Sequence, residues 1–395
     1  MAWKNTAILI FFGVLCGIFA VMYLTIPSRS AEVAPITYSA PLKVPDEYTP
    51  ERKQVIGFLP SWSVAAKAKV YPEYLDQIIY FGIGVNKYGE LMKFDEEGNE
   101  LLEWHYFQTD YMKDVMSKAH DTDTKMLVSI KNFDNEDIDT LISSGHSTNR
   151  AITQISKLID DYELDGINID FEYFTDSNFP TAKHMNIFLE KLTSELRKKH
   201  PNIIISFDVN ATVLYTDKAY DMVRIGELVD QVIVMGYDYH RQSSTVSGAI
   251  APLVSSGDKP SVTKSIDSLK GRVPYEKVIL AIPLYGYEWQ TYTKEQGSYT
   301  IAGSGALASY KRVRDLIDSR DDVAISYDKD SMSPRLVYTQ SGAIKQIYYE
   351  DEKSIQSKLD LVHDADIAGI ALWALGYDGT YIEPWLVITE NMWGI

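Results

Sequence analysis

Asp165-Gly-Ile-Asn-Ile-Asp-Phe-Glu172 is the stretch on which the reading of this 395-residue chain turns. In an extended segment, residues two apart point to the same side, so Asn168, Asp170 and Glu172 share one face while Ile167, Ile169 and Phe171 share the other. The apolar face suits a layer of helices. The polar face then points inward, where burying carboxylates costs on the order of several kcal/mol unless a partner or a function compensates. The spacing alone leaves open a structural role for Asp165, Asn168 and Asp170, in which they cap a strand and bond adjacent loops.

Working outward, seven more short runs rich in Ile and Val recur, and each of the eight reads as followed by a segment of helical periodicity. The eight runs span 54–59, 77–85, 126–130, 166–171, 203–209, 231–237, 278–284 and 368–373. Their continuous apolar character predicts parallel strands covered by helices, and eight βα units predict a closed (β/α)8 barrel rather than a doubly wound sheet. Glu172 falls at the carboxyl end of the fourth strand, the rim where barrel enzymes place catalytic groups. About eighty residues separate the last two strands, more than one crossover helix needs. Alternating runs within them predict an α+β subdomain inserted at 290–350.

The termini add a location. Behind Lys4, residues 7–26 form a run of about twenty apolar residues, enough to span a ~30 Å hydrocarbon core. Residues 1–27 therefore read as a transmembrane anchor or a signal segment, 28–52 as a Pro-containing linker, and 53–395 as the barrel domain. The domain is expected outside the cytoplasm, membrane-anchored, or secreted if the segment is cleaved. Cys16, the one cysteine, lies inside the apolar run, so no disulfide supports the domain. The net charge of −17 disfavours nucleic acid as a partner. The seven His residues show no HExxH spacing, and neither a metal nor a cofactor is expected.

The stretch 165–172 resembles the DxxDxDxE signature of glycoside hydrolase family 18, the chitinases and endo-N-acetylglucosaminidases built on a (β/α)8 barrel. Met235-Gly-Tyr237-Asp238 is similar to that family's MxYD motif, and Trp373 to the Trp that closes its eighth strand. The resemblance covers nearly all of 53–395 and implies a retaining glycosidase of β-linked N-acetylglucosamine polysaccharide, peptidoglycan or chitin-like. The substrate's own acetamido group would supply the nucleophile. It further implies Glu172 as acid and base and Asp170 as acceptor of the acetamido N–H. Tyr237 and Asp238 would fix the sugar, Trp373 would stack on it, and Ser129 would hold Asp170 at rest.

Departures are informative. Asn168 stands where the family usually has Asp, Ser129-Ile-Lys-Asn132 where it has Ser-x-Gly-Gly, and Phe58 where it often has Tyr. Asn168 and the stretch Ile282-Pro-Leu-Tyr-Gly-Tyr-Glu-Trp289 resemble the bacterial branch related to spore-cortex and peptidoglycan N-acetylglucosaminidases more than the secreted chitinases. With Asn168 in place of a carboxylate, Asp170 is expected to lack a like-charged neighbour and to ionise more easily. Of Trp62, Trp104, Trp289 and Trp385, the first and third follow strands one and seven and are the expected subsite residues. The competing reading is a sugar-binding barrel without catalysis, against which the presence of Glu172 speaks.

Overall fold

The computed structural model describes residues 52–173, 180–212, 214 and 219–395. In chain order its strands are β1 (Gln54–Pro60), β2 (Gln77–Gly84), β3 (Lys125–Asn132), β4 (Gly166–Phe171), β5 (Ile204–Asn210), β6 (Gln231–Met235) and β7 (Val278–Pro283), then β8 (Tyr285–Thr291), β9 (Ala306–Ser309), β10 (Ala324–Asp328), β11 (Ser333–Gln340) and β12 (Ala343–Tyr348), and finally β13 (Gly369–Trp373). Strands β1 to β7 and β13 close into a parallel barrel, with β13 paired between β1 and β7. These are the eight apolar runs of the sequence.

The strands are buried on both faces, as a parallel sheet inside a ring of helices requires. The helix Gly145–Tyr162 shows how each layer is specified. Ser144 caps it by accepting from Ser147 N, and Ala151, Ile155, Leu158 and Ile159 form its buried stripe. It ends where Glu163 turns left-handed at φ 51°. The helix Thr181–Lys199 buries Phe188, Leu189, Leu192 and Leu196, and the Phe188 ring lies 5.5 Å from that of Phe171. The outward face of β4 is thus the apolar one, which turns Asn168 and Asp170 into the barrel.

Asp165 sits at the opposite, amino-terminal end of β4. Its Oδ2 accepts from Met126 N at 2.9 Å, with Lys125 Nζ 3.5 Å from Oδ1. The first Asp of the signature stretch is a structural tie between β3 and β4.

The insertion is a five-stranded antiparallel sheet of order β10-β11-β12-β8-β9. It has its own small core of Ala308, Val313, Leu336, Tyr338, Ile347 and Tyr349. Its strand β8 begins at Tyr285, two residues after β7 ends and five before the boundary expected from sequence. On β8, Tyr285, Tyr287 and Trp289 alternate onto one face, and that early start is what brings the subdomain to the rim.

Among the described residues no helix is long and apolar enough to cross a membrane. The expected anchor, 1–27, and the linker up to residue 51 lie outside the described residues.

Candidate active site

Two neighbouring strands supply the buried centre. Asn168 on β4 is in register with Ser129 on β3 and Ser206 on β5. Period-two alternation then places Asp208 and Asn210 on the inward face of β5, beside Asp170 and Glu172. Asn168 is fully buried, and its Nδ2 donates to Asp208 Oδ1 at 2.7 Å and to Ser206 Oγ at 3.0 Å. Burial pushes the Asp170 carboxyl well above its ordinary range, and the carboxylates of Asp208 and Glu172 push it further. Asp208 is raised likewise by burial, with the Asn168 amide pulling the other way.

Two expectations are corrected here. Asp170 does not lack a like-charged neighbour, because Asp208 arrives from the adjacent strand. Ser129 does not hold Asp170: its Oγ and Asp170 Oδ1 are both buried without a hydrogen-bond partner among the described residues.

Glu172 lies one residue past the end of β4, half-buried and open to the rim. Burial raises its pKa above the ordinary 4.5, the Asn210 side chain and the Arg241 charge oppose this, and Asp238 adds to it. Tyr220 braces the backbone on either side, donating to Phe171 O at 2.6 Å and accepting from Tyr173 N at 2.8 Å. The Glu172 side chain thus projects from a strand end whose backbone is tied on both sides to Tyr220.

Across the rim, Asp238 follows β6 with φ +61°. Its Oδ1 accepts from Tyr285 OH at 2.5 Å and Tyr287 OH at 3.2 Å, both from β8 of the insertion. Burial raises its pKa while the Tyr285 bond and the Arg241 charge lower it. Trp373, at the end of β13, closes the floor. Its ring centroid is 4.7 Å from Phe81, 5.6 Å from Phe58, 6.2 Å from Trp62 and 6.4 Å from Tyr237.

Together these groups enclose a cavity of about 460 Å³ with Asp170, Glu172, Asp208, Met235, Tyr237 and Asp238 on its walls. That volume lies in the range of small-molecule sites. Trp62 is 45% exposed and borders it, as expected. Trp289 does not: it is fully buried, with its indole N–H on Gln242 O at 3.1 Å. Although it shares a face with Tyr285 and Tyr287, it lies too far along β8 to reach the rim.

Sequence reasoning passed over Asp208, Asn210, Lys131, Arg241, Tyr285 and Tyr287. A signal existed for the first two, since Ile204-Ile-Ser-Phe-Asp-Val-Asn210 alternates polar and apolar as 166–171 does. For the two tyrosines the alternation along 285–289 gave a shared face but not what that face meets, because they belong to a different sheet. Among the described residues no group of His, Cys, Asp and Glu is arranged to hold a metal ion.

A sequence model of the family described as "Glycosyl hydrolases family 18" matches residues 54–378. "Probable chitinase 2" of Drosophila melanogaster is 25% identical over 354 residues, which cover 82% of this chain and 72% of that protein. The "Cortical fragment-lytic enzyme" of Bacillus subtilis (strain 168) is 23% identical over 289 residues, 71% of this chain and 63% of that one. Among solved structures, the Group IV chitinase of Ostrinia furnacalis superposes with a TM-score of 0.74 at 17% identity, covering 86% of this chain and 99% of that one.

Proposed function

The chain belongs to glycosyl hydrolase family 18 and is a glycosidase, and from that premise we propose that it cleaves β-linked N-acetylglucosamine polysaccharide, peptidoglycan or chitin-like, with retention and by substrate-assisted catalysis. The observation that carries this reading is the pairing of Glu172, at the rim with its pKa raised by burial, and Asp170, one step inward on the same face of β4, over the aromatic floor of Trp373.

Burial favours the protonated form of Glu172, the form that can donate to the glycosidic oxygen. The substrate's acetamido oxygen then bonds the anomeric carbon as the bond to the leaving oxygen breaks, giving an oxazolinium ion. Asp170 accepts from the acetamido N–H and offsets the developing positive charge. Burial among carboxylates favours the protonated form of Asp170 at rest, and that positive charge is what draws it toward the ionised form. Water, deprotonated by Glu172, opens the ring with overall retention.

Tyr237 and Asp238 hold the sugar from the opposite wall, Asp238 pinned there by Tyr285 and Tyr287. Trp373 stacks under the pyranose, with Trp62 beside it. The apolar run at 7–26 supports action outside the cytoplasm.

The reading is tested by product analysis after incubation with peptidoglycan fragments and with chitooligosaccharides, beside Glu172→Gln. Hydrolysis with the β-anomer released first is expected, and the variant should be slower by about 10²- to 10⁴-fold. Equal release by the variant, or binding without release by the parent, contradicts it.

A further inference from the structure

Two cations line the catalytic cavity, Lys131 and Arg241, among four carboxylates. Lys131 occupies the position of a family glycine, and its charge is already matched. Its Nζ lies 3.6 Å from Glu103 Oε1 and 4.9 Å from the centroid of the Phe81 ring.

Arg241 differs. It is exposed, and among the described residues it forms no ion pair; its side chain makes one hydrogen bond, from Nε to Asp238 O at 3.3 Å. Both Nη groups are left without a protein acceptor among the described residues, although the residue itself is held in place. Its N donates to Ser244 Oγ at 2.8 Å, and its carbonyl accepts from Ser244 N at 2.9 Å, closing a turn.

The position is informative. A second cavity of about 490 Å³ shares Asp238, Arg241 and Tyr287 with the first and is otherwise lined by uncharged residues such as Gln242, Ser244 and Thr300. A glycan that extends from the Trp373 floor into this second cavity passes the Arg241 guanidinium. Neutral N-acetylglucosamine offers hydroxyl and amide groups, which Gln would serve as well, whereas a planar guanidinium matches a carboxylate with two parallel bonds. A chain of net charge −17 repels an anionic glycan unless a local cation compensates.

We infer that Arg241 is a specificity residue that receives a carboxylate carried by the sugar next to the one seated over Trp373. The glycan cleaved is then an acidic one, in which N-acetylglucosamine alternates with a carboxylate-bearing amino sugar of the muramic acid type. This rests on the glycosidase reading above and selects within it. The carboxylate is either the lactyl group of the sugar or that of an amino acid attached to it.

The test compares the full-length parent, Arg241→Gln and Arg241→Lys on three substrates. These are an alternating N-acetylglucosamine–N-acetylmuramic acid tetrasaccharide with free lactyl groups, the same glycan carrying L-alanine on each lactyl group, and chitotetraose. Arg241→Gln is expected to lower kcat/KM on a carboxylate-bearing glycan about tenfold more than on chitotetraose, with Arg241→Lys intermediate. The arm that shows the effect identifies the carboxylate. Raising salt to about 0.5 M should narrow the parent's preference for the acidic glycan. An equal loss on all three substrates assigns Arg241 to tuning Glu172 and overturns the inference, as does a parent with no preference; the glycosidase reading survives both. No release from any substrate by the parent overturns the two together.

Discussion

Asn168 donates its side-chain amide to Asp208 across 2.7 Å between β4 and β5, and the two lie fully inside the barrel. On β4 this chain carries a donor at Asn168, and a like charge for Asp170 comes from the neighbouring strand. The buried centre therefore keeps a pair of carboxyls, Asp170 and Asp208, both held well above their ordinary range by burial, with the Glu172 charge pushing both further up from the rim.

That pair makes stability fall as pH rises. From the ordinary carboxylate value of 3.8 up to the raised folded values, the native state holds protons that the unfolded chain has released, so the unfolding free energy declines through that interval. Asp208→Asn removes one such group and relieves the other. Urea unfolding from about pH 4 to pH 8 should give a shallower decline than in the parent. A slope as steep as the parent's contradicts the arrangement.

The Asn210 side chain lowers the pKa of Glu172 by favouring its ionised form. Asn210→Ala should raise that pKa and carry the alkaline limb of the kcat/KM profile to higher pH, because the acid stays protonated longer. An alkaline limb that stays put or moves down is the opposing outcome.

Trp62 and Trp289 should separate cleanly. Trp62 is 45% exposed at the cavity, so Trp62→Ala is expected to raise KM several-fold with little change in thermal unfolding. Trp289, on β8 of the subdomain sheet, is fully buried, so Trp289→Ala should cost about 3–5 kcal/mol of stability. Denaturant titration beside KM on a chitooligosaccharide decides it. A Trp289 variant that keeps its stability but loses affinity reverses the assignment.

Lys358, on the helix Glu352–Asp364, and Glu350 form a fully buried ion pair at 2.7 Å. Burial still holds the Glu350 pKa up in spite of the lysine, so the pair does not fully offset the loss of water. Lys358→Met leaves the carboxyl unmatched and should cost about 3–5 kcal/mol, whereas Lys358→Met with Glu350→Gln should recover much of it. Chemical denaturation of the two variants checks this; equal losses would falsify the account.

The amino-acid order by itself determined the barrel and half of its centre. Continuous apolar runs are satisfied when both faces of each strand are buried, one under the ring of helices and the other in the barrel interior, and alternation along 166–172 leaves Asn168, Asp170 and Glu172 no face but the inner one. Asp208 and Asn210 obey the same rule on β5 and were legible in principle. Tertiary structure alone decided what those groups meet. Asp208 from β5 adds to Glu172 in setting the charge beside Asp170, Tyr285 and Tyr287 reach Asp238 from another sheet, and Trp289 is taken out of the site by its distance along β8. Periodicity fixes the face a side chain points to, because it is a property of one strand. Partners depend on register between strands and on how an inserted sheet packs, and neither is a property of any single stretch of sequence.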